Sequence, residues 1–365
     1  MDCGMADSLT EARAEPAAPV PRGGADERMA RVGLITRLLR RPELGALLGA
    51  IAIFVIFAFA DQSGQFADVS GAARWLDVAS TIGIPSVAVA LLMIGGEFDL
   101  SAGVMTASAG ILLGLLTVEW GWNMWPALAA VFAFAGAIGF MNGYVVVKTK
   151  LPSFIVTLAT FFVLRGANVG FTKQVTGQVR VADIDTAGGY ESVRKIFGSD
   201  LGTAPENFNI RIFWWIALTI LATWLLTRTR AGNWILGVGG DPNAARNVGV
   251  PVVRTKIGLF MATSLACALA GVMTAVQLTS VQADQGVGEE FNFIVAAVVG
   301  GCLLTGGYGS AIGAALGALI IGMAFIGIAF AGWNTDWRFL FLGVILFLAV
   351  LVNTFVRRRA EGARR

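Results

Sequence analysis

Ten runs of mostly apolar residues follow one another along this chain, at 44–60, 78–98, 100–118, 124–147, 152–171, 210–227, 257–280, 291–306, 308–330 and 337–356. A helix of about 20 residues rises about 30 Å, the thickness of a bilayer's hydrocarbon core. With 56% hydrophobic and 14% charged residues and a mean hydropathy of +0.72, the chain carries more apolar surface than a soluble core of this length can enclose. In lipid every backbone polar group must be satisfied internally, which leaves helices or closed barrels. The expected class is all-α: a polytopic membrane protein of about ten transmembrane helices, with membrane lipid as its first partner.

Charge placement orients the runs. Arg28, Arg31, Arg37, Arg40 and Arg41 precede the first, Lys148 and Lys150 follow the fourth, and Arg228, Arg230, Arg246, Arg254 and Lys256 fill the gap at 228–256. With the five arginines after Val356, one face collects 17 basic residues, against seven on the other: Arg74, Lys173, Arg180, Arg194, Lys195, Arg211 and Arg338. Basic loops stay in the cytoplasm. The bias predicts both termini and the 228–256 loop inside and the 172–209 loop outside, where Trp120, Trp122, Trp125, Trp333 and Trp337 form an aromatic belt. Residues 1–27 are poor in large apolar groups and are expected to be disordered. The domain plan is a cytoplasmic tail with its basic flank at 1–43, a membrane domain at 44–356 and a basic cytoplasmic tail at 357–365.

Several chemistries are excluded. The chain has no histidine, and its three cysteines, Cys3, Cys267 and Cys302, have no metal-ligand spacing. No G-x-x-x-x-G-K-[ST] loop occurs, so nucleotide-driven work falls to another subunit and no cofactor is expected on this chain. The net charge of +3 is distributed by side of the membrane and calls for no nucleic acid.

Within the cytoplasmic loop, G-G-D-P-N-A-A-R-N-V-G reads as one short helix. Asp241 caps it, Pro242 suits the first turn, Asn243, Ala244, Ala245 and Arg246 continue it, and Gly249 ends it. Such a knob is either a tight loop satisfying its own backbone or a docking element for a cytoplasmic partner. The joins at 95–101 (G-G-E-F-D-L-S) and 306–310 (G-G-Y-G-S) pair glycines with polar residues between apolar runs, as broken transporter helices do. Glycines at 309, 313 and 317 suit close helix packing.

Glu97 and Asp99 must face water, protein or a cavity, since a carboxylate in lipid costs about 3 kcal/mol or more. Asp99 is placed either to cap the following helix or, with Glu97 and Ser101, to line a solute path. Asn142 suits an interhelical hydrogen bond. Phe154, Thr157 and Thr160 share one helix face, a stripe that lines a polyol passage or bonds back to its own helix.

The segments G-E-F-D-L-S-A-G (96–103), M-N-G-Y-V-V-V-K-T-K-L-P-S-F-I-V-T-L-A-T-F-F-V-L-R-G (141–166), G-N-W-I-L-G-V-G-G-D-P-N-A-A-R-N-V-G-V (232–250) and A-A-V-V-G-G-C-L-L-T-G-G-Y-G-S-A-I-G-A-A-L-G-A-L-I-I-G (296–322) occur in order and cover the membrane domain. Together they resemble the inner-membrane permease of bacterial monosaccharide ABC importers, the ribose, xylose and galactose type. Where many members have a second glycine, this chain has Glu97. The resemblance implies a permease fold with some broken or short helices, a second permease copy or close relative, an ABC ATPase subunit carrying ATP and Mg, and a periplasmic sugar-binding protein. It also implies the bacterial inner membrane, and makes the 241–249 helix the element that couples to the ATPase. Two other classes are weighed beside it: an ion-coupled secondary transporter using Glu97 and Asp99, and a scaffold without flux. Within ABC importers, permeases for nucleosides or branched amino acids are further alternatives.

Overall fold

The computed structural model describes the backbone of residues 42–202 and 207–362 and the side chains of 43–202 and 207–351. The expected tail and basic flank before residue 42, Cys3 and the side chains of the basic C-terminal run lie outside the described residues. The chain is helical almost throughout. It begins with α1 (Pro42–Ala60), α2 (Val69–Ile94) and α3 (Ala102–Gly114), the last running on as a π-type turn to Glu119. Then come α4 (Met124–Thr149), α5 (Ser153–Thr176), the short α6 (Tyr190–Phe197) and α7 (Ile210–Arg228). Two further short helices, α8 (Arg230–Gly240) and α9 (Pro242–Asn247), lead to α10 (Val252–Leu278). The chain closes with α11 (Glu289–Val299), α12 (Ala311–Phe330) and α13 (Arg338–Gly362).

Among the described residues, eight helices are long and apolar enough to cross a membrane, which fixes an all-α polytopic architecture. The apolar run at 337–356 begins α13, whose backbone continues to Gly362. Helix starts follow local chemistry: the Asn123 side chain accepts from Trp125 N at the head of α4, and Asn209 accepts from Arg211 N at the head of α7.

Two layers result. α2, α10 and α12 are mostly buried (78%, 67% and 72% of their apolar windows), whereas α1 is 17% buried and faces outward. Small residues set the inner packing. A Cβ on Gly271 of α10 would lie 2.0 Å from Thr106 O of α3, so those helices meet backbone to backbone. On the face that carries α6, two-residue strands tie the loops together. Arg180–Val181 pairs antiparallel with Val281–Gln282, and Asp200–Leu201 with Phe208–Asn209.

The expected span at 291–306 is corrected. Its helix covers only Glu289–Val299, 11 residues, and the chain then turns through Gly300 to Ser310. Gly301, Gly306 and Gly307 have φ of 91°, 78° and 75°, a left-handed backbone that no helix continues through. After the two-residue strand Val281–Gln282 the chain runs in turns to Gly288 and packs on α3, so an unwound stretch precedes the half-length helix. Likewise the 228–256 loop holds two helices where the sequence pattern predicts one.

Candidate functional site

The knob forms as its residues dictate. The Asp241 carboxylate accepts from Asn243 N at 2.8 Å and Ala244 N at 3.1 Å, Pro242 occupies the first turn, and Gly249 follows with φ 84°. Ala245 is buried against Val238 of α8 and Val252 of α10, which sets the knob rigidly on its two neighbours. Asn243, Ala244, Arg246 and Val248 point outward, Val248 being 80% exposed.

Directly behind the knob, three turns of chain meet through glycine. Gly307 N donates to Ile94 O at 2.8 Å, joining the end of α2 to the turn before α12. The last turn of α8 wedges into this contact: a Cβ on Gly239 would lie 1.7 Å from Ile94 O and 2.6 Å from Gly307 N. A Cβ on Gly306 would lie 2.8 Å from both Gly239 O and Gly96 Cα. Glu97, one residue on, forms an ion pair with Lys256 at the foot of α10, with side chains 9% and 17% exposed. The unusual acid therefore clamps the α2–α3 turn to the helix that leaves the knob.

The remaining sequence-nominated residues gather one step away. Asp99 Oδ1 accepts from Ser101 N (2.8 Å) and Ser101 Oγ (2.5 Å). Asn142 Nδ2 donates to Ser101 Oγ at 3.1 Å, and Thr160 Oγ1 donates to Asn142 Oδ1 at 2.6 Å. Leu100 N donates to Thr157 Oγ1 and Phe98 N to Ser153 Oγ, each at 3.0 Å. Thr157 also bonds back to Ser153 O. This buried network pins the α2–α3 turn to α4 and α5. Phe154 lies outside it, half exposed.

A cavity of about 280 Å³ lies elsewhere, toward the face that carries α6. Asp77 of α2, Thr106 of α3, Gln285 of the unwound stretch, Glu289 and Phe293 of α11, and Arg338 at the start of α13 all border it. None of the seven residues nominated for a solute path does. Gly286, φ 86°, admits the unwound stretch: its Cβ would lie 2.3 Å from Gly103 O. Sequence reasoning placed Arg211 and Arg338 among loop charges, yet Arg211 is 5% exposed and holds Asp77 through Nη2 at 2.8 and 3.1 Å. The signal that points here is Q-A-D-Q-G-V-G-E-E at 282–290, a polar, glycine-bearing stretch between apolar runs with no basic residue. No cluster of three or more acidic, histidine or cysteine side chains suited to a metal occurs among the described residues.

Residues 71–350 match the family described as "Branched-chain amino acid transport system / permease component". The chain is 30% identical to the fructose import permease protein FrcC of Rhizobium meliloti, covering 87% of this chain and 86% of that protein. It is 31% identical to the ribose import permease protein RbsC of Escherichia coli K12 (83% and 92% covered). To the xylose transport system permease protein XylH of Haemophilus influenzae it is 26% identical (86% and 96% covered). No solved structure matches.

Proposed function

The chain belongs to this permease-component family, and on that premise we propose that it is the membrane subunit of an ATP-driven importer carrying a monosaccharide across the bacterial inner membrane. A separate ABC ATPase, holding ATP and Mg, docks on the cytoplasmic face; a periplasmic sugar-binding protein delivers solute to the other; a second permease copy completes the passage. The lack of a phosphate-binding loop in this sequence and the 17-to-7 basic bias support that division of labour and that orientation. The sugar names of the relatives support the cargo.

The observation that carries the reading is the knob's seat. Asp241, Pro242, Asn243, Ala244, Ala245, Arg246 and Gly249 form a capped, exposed element whose supporting helix α8 is wedged between the two glycine turns that end α2 and precede α12. A push on α9 reaches both membrane breaks without passing through a flexible side chain. ATP binding by the partner drives alternating access through this contact, and affinity for solute resides in the binding protein, since a ligand shifts an equilibrium only by its differential affinity. The ion-coupled alternative needs a pair of uncommitted carboxylates, whereas Glu97 is paired with Lys256; Asp99 is bonded to Ser101 through Oδ1, its Oδ2 being buried without a partner.

Arg246→Glu tests it. In proteoliposomes with ATPase and binding protein, ATP-dependent uptake and recovery of the ATPase with the permease are expected to fall together. Both remaining intact would refute the docking role.

A further inference from the structure

Around the cavity near α6, Asp77 is ion-paired, Glu289 is bonded to a neutral amide and Arg338 lies against aromatic rings. Asp77 is held two-pronged by Arg211, whose Nη1 also reaches Thr274 Oγ1 at 3.4 Å. Glu289 accepts from Asn292 Nδ2 at 2.8 Å. The Arg338 guanidinium lies 5.7 Å from the Phe325 ring centre and 4.9 Å from that of Phe339. The cavity is bordered by Asp77, Glu289 and Arg338, with Arg211 standing behind Asp77 as its ion-pair partner. It keeps spare acceptor lone pairs on Asp77, Glu289 and Gln285, and aromatic surface from Phe293 and Phe325.

That combination suits a neutral polyhydroxylated ring. Hydroxyl donors satisfy carboxylate and amide oxygens, while the C–H face of a sugar ring covers aromatic carbon. The volume of about 280 Å³ sits at the lower edge of the roughly 300–1,000 Å³ usual for ligand sites, which suits a single ring. The wall supplied by 283–288 is unwound, which exposes the backbone of a membrane crossing only where protein or a wet cavity receives it.

We propose that this intrasubunit cavity is a station that holds one neutral monosaccharide in transit, with Asp77, Gln285 and Glu289 accepting its hydroxyls and Phe293 and Phe325 covering its ring. The inference rests on the sugar-importer reading and adds the place and the residues. It differs from the buried Asp99, Ser101, Asn142 and Thr160 network, which borders no part of this cavity.

The test uses the assembled transporter in proteoliposomes, with Cys3→Ser to remove one thiol; Cys267 and Cys302 are buried at 0% and 1% exposure. Gln285→Cys is labelled with a small methanethiosulfonate reagent in the presence of millimolar ribose, fructose, xylose or leucine. Protection by at least one sugar and not by leucine is expected. Glu289→Gln is expected to cut uptake of the same sugar about tenfold, the size of one lost charged hydrogen bond, while the ATPase still co-purifies. Wild-type sugar uptake with no sugar protecting Gln285→Cys overturns the cavity assignment alone. Protection by leucine overturns the substrate class. Absence of any ATP-driven sugar uptake by the wild type overturns the importer reading and this inference together.

Discussion

Gly239→Ala should separate a backbone junction from ordinary helix packing. The new methyl carbon would sit 1.7 Å from Ile94 O, and real Cβ contacts are essentially never closer than 3.0 Å, so at least 1.3 Å of relief is required. Neither neighbour can swing away, because Ile94 O and Gly307 N are backbone atoms bonded to each other at 2.8 Å. Relief therefore separates α8 from α2 or opens that bond. Overpacking costs about 1–3 kcal/mol and a backbone hydrogen bond contributes about 0.5–1.5 kcal/mol, so about 2–4 kcal/mol is expected in total. Gly240→Ala supplies the control: it is the next residue, and nothing lies within 4 Å of its Cβ. The assay is the thermal midpoint of monodisperse protein in detergent, with ATP-driven uptake in proteoliposomes beside it. Gly239→Ala should lower the midpoint and abolish uptake, and Gly240→Ala should stay near wild type in both. Equal behaviour of the two variants would refute the interlock.

Lys256→Met leaves the Glu97 carboxylate, 9% exposed, without its cation. Breaking a buried pair from one side costs about 3–5 kcal/mol, so this variant should melt well below the Lys256→Met/Glu97→Gln double variant, in which no charge is stranded; a double variant no better than the single would show that the pair is not the cause. In a Cys3→Ser background, Val248→Cys, 80% exposed on the knob, should react with an impermeant thiol reagent only from the cytoplasmic side. Ser192→Cys on α6 should react only from the opposite side, and reversal of the two would overturn the assigned orientation.

The sequence made local features legible and hid the distant ones. The α9 knob could be read because its cap, proline and closing glycine lie within nine residues and act on their own backbone. The glycine junction could not, because Gly96, Gly239 and Gly306 meet from three remote stretches and nothing in their local context records it. The eighth crossing was misread for a related reason. Hydropathy over 291–306 averages across Gly300 and Gly301, while what ends the helix at Val299 is the sign of φ. Charges misled in the same way: Arg211 reads as a loop residue by position, and only its pairing with Asp77 across 134 residues places it behind a cavity wall. Of the two readings weighed for Thr157 and Thr160, the structure shows the bond back to α5, and adds bonds that fasten it to the α2–α3 turn and to α4.

The half-length α11 connects the two functional regions. Its first turn, with Glu289 and Phe293, borders the cavity, and its last residue precedes the turn whose Gly306 and Gly307 rest on the end of α8. Eleven residues rise about 16 Å, so the rod is short enough to move as a unit. It is also fixed sideways. A Cβ on Gly313 of α12 would lie 1.9 Å from Gly300 O, and one on Gly317 would lie 2.0 Å from Ala296 O, which holds α11 against α12 by backbone contact along two turns. Contacts of that kind cannot yield by rotamer change, as a side-chain contact does, and packed interiors pass displacement on instead of absorbing it. A shift of α9 that left the cavity unmoved would therefore have to open the Gly307–Ile94 hydrogen bond or unseat α8 from both turns at once. Carrying α2, α11 and α12 along together breaks neither, so the junction ties the unwound stretch to the knob through backbone contacts.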